Sequence, residues 1–248
     1  MDSARDLREQ PSSEPLPVLP GGTSSTRLRV YPWEAPDGLR GGTPHVHLAS
    51  TEAYTVLAGS GRVLTLTATQ GTRWHELTPG TQLWFTPGTV HRLVNDSGDL
   101  EILALMANRG LPESGDAVMT FPPEHLSSPE AYAAAAALPA PGTADPTARE
   151  AAVRARRDLA LDGLVRIQED PEAFDRFLEA ALALVHHRAE DWTRIAEAGP
   201  AADAARTREA LAALAEGSTR VLRAARIGRS TPQEALGMCG HLQQWPPA

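Results

Sequence analysis

The chain has 248 residues, 42% of them hydrophobic and 22% charged, with a formal net charge of −8. This is the balance of an ordinary globular protein, and the acidic charge argues against nucleic acid as a partner held through phosphate contacts. All 23 basic residues are arginines, which excludes lysine Schiff bases and a Walker-type phosphate loop, and the single cysteine, Cys239, excludes an internal disulfide or a CxxC motif.

Residues 1–25, rich in Pro, Ser and Gly, contain no apolar segment of the kind that forms a secretory signal. They are expected to be a flexible tail. No later stretch reaches the roughly 18 apolar residues of a membrane span, so the expected location is cytoplasmic and no membrane partner is expected.

Residues 26–125 read as β-structure. RLRVYPWE, EAYTVLAG, GRVLTLTAT, TRWHELTPG, TQLWFTPG, HRLVN and DLEILALMA are short runs of Val, Leu, Thr and aromatic residues, and many are separated by Gly, Pro, Asn or Asp. GSGR and NDSGD read as hairpin connections. Many short strands at regular spacing predict a sandwich or barrel. The proline-marked segment after Leu111 is expected to wrap over it.

Residues 126–146 read as a short helix and a linker, with Ser128 as N-cap and Pro129 at the first helical position. Residues 147–228 are helical, and the cap-then-proline start recurs at Asp145-Pro146 and Asp170-Pro171. A helix over 171–198 carries Phe174, Phe177, Leu178, Ala181, Leu182, Val185, Ala189, Trp192 and Ile195 at steps of three and four, and Gly199-Pro200 is expected to end it. A further helix over 202–227, with a candidate interruption near Gly217-Ser218, places Leu211, Leu214, Val221 and Leu222 inward. The fold class predicted is therefore α+β, with an antiparallel bundle of about three helices after the β-domain. Residues 147–230 hold 14 arginines and 14 acidic residues, most simply a solvated face, although Arg154, Arg156 and Arg157 could grip an anionic ligand or partner. Residues 229–248 are expected to dock on the body through Met238, Leu242 and Trp245.

Chemistry concentrates in two stretches. In HVHLASTEAYTVLAGSG, His45 and His47 lie two apart on a strand and so face the same way, with Glu52 following. Alone, such a pair is equally readable as part of a half-buried sheet. In GTQLWFTPGTVHRLVN, a Thr-Pro-Gly turn leads to His91, with Asn95 four residues on. Three imidazoles and one carboxylate form a borderline N/O donor set suited to Fe, Mn, Ni, Co or Zn.

Together these stretches resemble the cupin family. Its first motif is a glycine, five residues, His-x-His, three or four residues, Glu, six residues and a glycine. His45, His47, Glu52 and Gly59 fit, while Gly38 stands one position early. Its second motif is a glycine, five residues, Pro-x-Gly, two residues, His, three residues and Asn. Gly80, Gly88, His91 and Asn95 fit, with Thr86 in place of the proline and Pro87 beside it. The resemblance implies a jelly-roll barrel with a divalent transition metal inside, held by His45, His47, Glu52 and His91, and a homodimer.

It also implies a small-molecule substrate or ligand. The activity could be that of a dioxygenase or of a sugar-type isomerase or epimerase, with Glu52, Tyr54 and His75 as candidate catalytic groups. The alternative is a non-catalytic metabolite-binding or regulatory module. Of Trp84 and Phe85, which face oppositely, one is expected in the core. Arg92 is expected on the outer face, away from the metal, and His186 and His187 in solvent. Cys239 and His241 could form a second, two-ligand site.

Overall fold

The computed structural model describes residues 19–140 and 145–245; the N-terminal tail predicted over 1–25 lies outside them up to residue 18, as does part of the linker. Nine strands come first: β1 (Ser24–Val30), β2 (His45–His47), β3 (Glu52–Ala58), β4 (Gly61–Thr67), β5 (Gly71–Leu77), β6 (Gln82–Phe85), β7 (Val90–Val94), β8 (Glu101–Met106) and β9 (Ala117–Met119). Six helices follow, α1 (Pro129–Ala136), α2 (Pro146–Glu169), α3 (Pro171–Val185), α4 (Ala189–Ala196), α5 (Ala202–Ala215) and the short α6 (Arg220–Arg223). The chain then returns to the β-domain as β10 (Gln233–Leu236) and β11 (Gly240–Gln244).

The strands form two antiparallel sheets, ordered β10-β11-β1-β8-β3-β6 and β5-β4-β7-β2-β9. Their facing sides enclose Leu28, Val30, Tyr54, Val56, Val63, Leu77, Leu93, Leu100, Ile102 and Ala104. The other side of the five-stranded sheet is also dry. There Val46, Leu64, Leu66, Val90 and Val118 pack against Ala160, Leu161, Leu164, Phe174, Phe177 and Ala181 of α2 and α3. A strand buried on both faces needs no polar alternation. That is why β7, Val-His-Arg-Leu-Val, is buried at every position.

The helix starts form as their sequences predict. Ser128 accepts from the Ala131 N–H, Asp145 from Thr147 and Ala148, and Asp170 from Glu172, each followed by proline. The stripe predicted over 171–198 is broken by a 3-10 turn at His186–Arg188, and Gly199-Pro200 does not end it. Instead a wide turn over Glu197–Ala201 runs on into α5. α5 stops at Ala215 before Gly217, which has φ +68°, and Leu211 and Leu214 are exposed rather than inward.

Two contacts lock α2 onto the β-domain. Gly163 sits so close to the Thr120 carbonyl that a β-carbon would lie 1.8 Å from its oxygen, so only glycine fits this approach. Arg157 is 1% exposed and donates to the carbonyls of Trp33 (2.8 Å) and Glu34 (2.9 Å) and, through Nε, to Asp158 (2.8 Å). The α2 charges are thus not all on a solvated face. Arg92 likewise turns away from the interior as expected, yet the face it occupies is covered: it is 2% exposed and paired with Asp37.

Candidate metal centre and its cavity

β2 and β7 are antiparallel neighbours in which His45 pairs directly with His91. The two-residue period of a strand then puts His45, His47 and His91 on the interior side and Val46 and Val90 on the helix side. Glu52 enters from β3 in the opposing sheet. The turn before β7 is fixed by Gly88, whose φ of +84° suits glycine and whose N–H donates to the His47 carbonyl at 2.9 Å. Asn95, 1% exposed, closes the next turn by accepting from Gly98 and Leu100 and donating to the Val30 carbonyl. The glycine and asparagine of the second motif are therefore structural, and the histidine between them is the one delivered inward. Thr86 in place of proline leaves the turn intact, its carbonyl accepting from Thr89.

The four buried side chains bring one donor atom each to within 4.8 Å of one another. Metal bonds of about 2.0–2.2 Å to nitrogen and oxygen span such a cluster. The ring nitrogens facing outward are all engaged. Nδ1 of His45 donates to the Thr43 carbonyl (2.9 Å), Nδ1 of His91 to the Thr89 carbonyl (3.1 Å), and Nδ1 of His47 meets Asp116 Oδ1 (2.8 Å). A carbonyl can only accept, so these bonds place the Nδ1 proton and leave the Nε2 lone pairs of His45 and His91 turned inward.

There, Nε2 of His91 lies 3.2 Å and Nε2 of His47 3.5 Å from Glu52 Oε2. Glu52 Oε2 and His91 Nε2 are buried without a hydrogen-bond partner. Buried acceptors turned on one another are costly unless a cation lies between them. The donor set therefore fits a divalent ion.

The electrostatics distinguish the imidazoles from one another. Burial drives the His45 imidazole well below its ordinary value, so it is neutral. Burial alone would raise Glu52, but His47 and His91 outweigh it and hold the carboxyl well below the usual carboxylate range. Burial opposes a charge on His47 too, yet Asp116 and Glu52 raise it to about 9, so binding of a cation would displace a proton from this ring.

Asp116 is the residue that sequence reasoning missed. It is 0% exposed, and its second oxygen accepts from the Ser50 N–H at 2.9 Å. It lies in an irregular segment, and the only sign of it in the sequence is an acid opening the apolar run AVM.

A cavity of about 280 Å³ opens beside the cluster. Its walls include His45, His47, Glu52 and Tyr54, the β1 and β8 residues Leu28, Ala104 and Met106, and Met238, Cys239 and Leu242 from the returning C-terminal segment. Arg156 of α2 and Glu113 also line it. Tyr54 thus shares the site, 1% exposed, and burial followed by the Glu52 charge pushes its phenol well above the usual value.

His75 is not among the cavity residues; its Nε2 meets Thr65 Oγ1 at 2.9 Å. Phe85 is the inward member of its pair, 4.3 Å from the His91 ring, while Trp84 is 68% exposed. Cys239 and His241 part company, Cys239 on the cavity wall and His241 edge-on to Tyr31 and Trp33. His186 and His187 are exposed, as expected. Among the described residues, the His-His-Glu-His cluster is the one group of three or more such side chains close enough to share an ion.

Residues 33–106 match the family model for the cupin domain. Comparison with curated proteins gives no match. Among solved structures, the chain is similar to oxalate decarboxylase from Bacillus subtilis, with 19% identity over 34% of this chain and 20% of that one and a TM-score of 0.30. It is also similar to an uncharacterized conserved protein with a double-stranded beta-helix domain from Klebsiella pneumoniae, with 20% identity over 40% of this chain and 81% of that one and a TM-score of 0.29. A third is Drosophila melanogaster CENP-C bound to CAL1, with 15% identity over 34% of this chain and 58% of that one and a TM-score of 0.27. The chain thus spans only 20% of the decarboxylase, and at these values none of the three bears on activity. No helix of the described residues is long and apolar enough to cross a membrane.

Proposed function

We propose, for a chain that belongs to the cupin superfamily through residues 33–106, a metal-dependent small-molecule enzyme in which His45, His47, Glu52 and His91 hold one divalent transition ion. The observation that carries this reading is the junction of cluster and cavity: three of the four donors are also cavity wall. Bound there, the ion would supply Lewis-acid or redox chemistry. The chain's own residues do the rest. Thr43, Asp116 and Thr89 fix the imidazoles, Tyr54 holds a proton at its phenol oxygen near Glu52, and Leu28, Met106 and Leu242 keep the interior apolar.

The side-chain inventory favours an oxygen-dependent oxidation over isomerisation or epimerisation. Moving a proton between two carbons calls for a positioned acid and base with values near neutrality. Burial keeps both Tyr54 and Cys239 protonated. His75 lies off the cavity, and Glu52 belongs to the cluster, so Glu113 is the one carboxylate left on the wall. The same scarcity of acid–base groups supports a second reading, a metal-containing module that binds a metabolite without turning it over.

Anaerobic reconstitution with Fe(II), followed by oxygen-uptake and isomerisation assays over a small-molecule panel, tests the proposal. Oxygen consumption that disappears together with the metal in His91→Ala is expected. Unchanged metal content in that variant would overturn the ligand assignment. Tight metabolite binding with neither oxygen use nor isomerisation would replace the enzyme by the binding module.

A further inference from the structure

Two neighbouring arginines on α2 have opposite surroundings. Arg157 is fully engaged, donating at 2.8–2.9 Å to two carbonyls and to Asp158. Arg156 lines the cavity, brought there by the helical stripe that also buries Val153 and Ala160 against the β-domain. Its protein contacts are long: Nη1 to the Ala136 carbonyl at 3.4 Å and Nη2 to the Gly237 carbonyl at 3.3 Å. Its Nε is buried with no partner, and among the described residues no carboxylate pairs with it. A guanidinium has five N–H donors in a planar fork, so most of this one is uncommitted. Burial disfavours its charge, lowering its pKa.

From this geometry we propose that Arg156 is the specificity-determining residue of the cavity and that the molecule bound between it and the His-Glu cluster is a small carboxylate. The inference rests on the metal-site reading above and adds the substrate class to it. A planar carboxylate matches the guanidinium fork and supplies the acceptors that the surrounding protein does not. Counting Asp116 behind His47, a dication on three neutral imidazoles and two carboxylates is neutral, so Arg156, set against Glu113 on the same wall, supplies the attraction for an anion. A volume of about 280 Å³ suits a small metabolite. Arg156 lies on a helix, and the Gly237 carbonyl it touches on the C-terminal segment; both are outside residues 33–106. Substrate recognition is thus supplied by the parts of the chain added to the cupin domain.

The test uses full-length protein loaded with Mn(II), its metal content measured by elemental analysis, and titrated calorimetrically with malonate, succinate and glutarate and with their monoamides. Wild type is expected to bind at least one diacid about 10- to 100-fold more tightly than its monoamide, the range of a charged hydrogen-bonded contact. Arg156→Gln is expected to lose that preference at unchanged metal content, and Arg156→Lys to retain part of it. Equal affinity of wild type for acid and amide would overturn the proposal. So would full carboxylate affinity in a metal-replete Arg156→Gln protein. If Arg156→Gln does not fold, the wild-type acid-to-amide ratio and the lysine variant still decide. Should wild type take up no metal, the metal reading fails, and the same titrations on metal-free protein judge Arg156 separately.

Discussion

The two walls of the cavity are built in different ways. One wall is the cluster, drawn from residues 45 to 91, in which a direct β2–β7 pair sets His45 opposite His91 and backbone carbonyls orient both rings. The other is assembled from β1, one arginine of α2 and the C-terminal segment, parts that lie up to 220 residues apart (Ser24 to Gln244). Local strand geometry fixes the donor atoms, whereas long-range packing sets the shape and charge around them. The metal chemistry and the choice of ligand are therefore expected to respond to different substitutions.

His91→Ala is the most severe way to break the first wall. It removes a central donor and leaves Glu52 buried, and metal content is expected to fall to background while the helical signal in circular dichroism persists. A variant that keeps its metal would show that His91 is not one of the ligands.

Arg157→Ala addresses the second wall through its anchor. Loss of three hydrogen bonds from a fully buried side chain is expected to lower stability by about 3 kcal/mol, read as a shift in the urea midpoint. Metal stoichiometry in the folded variant should not change. Coupled loss of metal would mean that the two walls are one unit.

Asp116→Asn acts on the first wall from behind. It keeps the shape and removes the charge that orients His47, so metal affinity is expected to drop about 10- to 100-fold, measured by competition with a chelator. No change in affinity would assign Asp116 to Ser50 and the loop alone.

The smallest effect concerns Asp37, whose pairing with buried Arg92 lies outside both walls. Burial works against its charge, but the Arg92 hydrogen bonds win and its pKa is lowered. A carboxylate with a depressed folded value stabilises above its unfolded value and loses that contribution as pH falls through the folded one. Asp37→Asn should therefore be less stable at neutral pH by up to about 1 kcal/mol, since the carboxylate is partly screened by solvent, with the deficit closing as pH falls below the unfolded carboxylate value of about 3.9. A deficit independent of pH would contradict this account of the pair.

The same contrast explains what the sequence disclosed. His45, His47, Glu52 and His91 were legible because strand periodicity and motif spacing are local, and the prolines and caps of α1, α2 and α3 for the same reason. Asp116 was not, since an acid in an irregular loop has no period to betray it. Arg156 stood in a helical region, residues 147–230, whose equal numbers of acids and arginines read as a solvated face, and only the docking of α2 separates it from Arg157. Arg92 was placed on the correct face, but nothing nearby in sequence shows that Phe174 and its neighbours cover that sheet. The break at His186–Arg188 was hidden by an apolar stripe that keeps its phase across the 3-10 turn.

The central claim is that three imidazoles and one carboxylate hold a single ion beside a cavity that also contains the only thiol. X-ray absorption on stoichiometrically Mn(II)- or Fe(II)-loaded protein tests it most directly. The account predicts about three imidazole scatterers, an otherwise oxygen shell and no sulfur. A sulfur scatterer, which would bring in Cys239, or a shell without imidazole would contradict it.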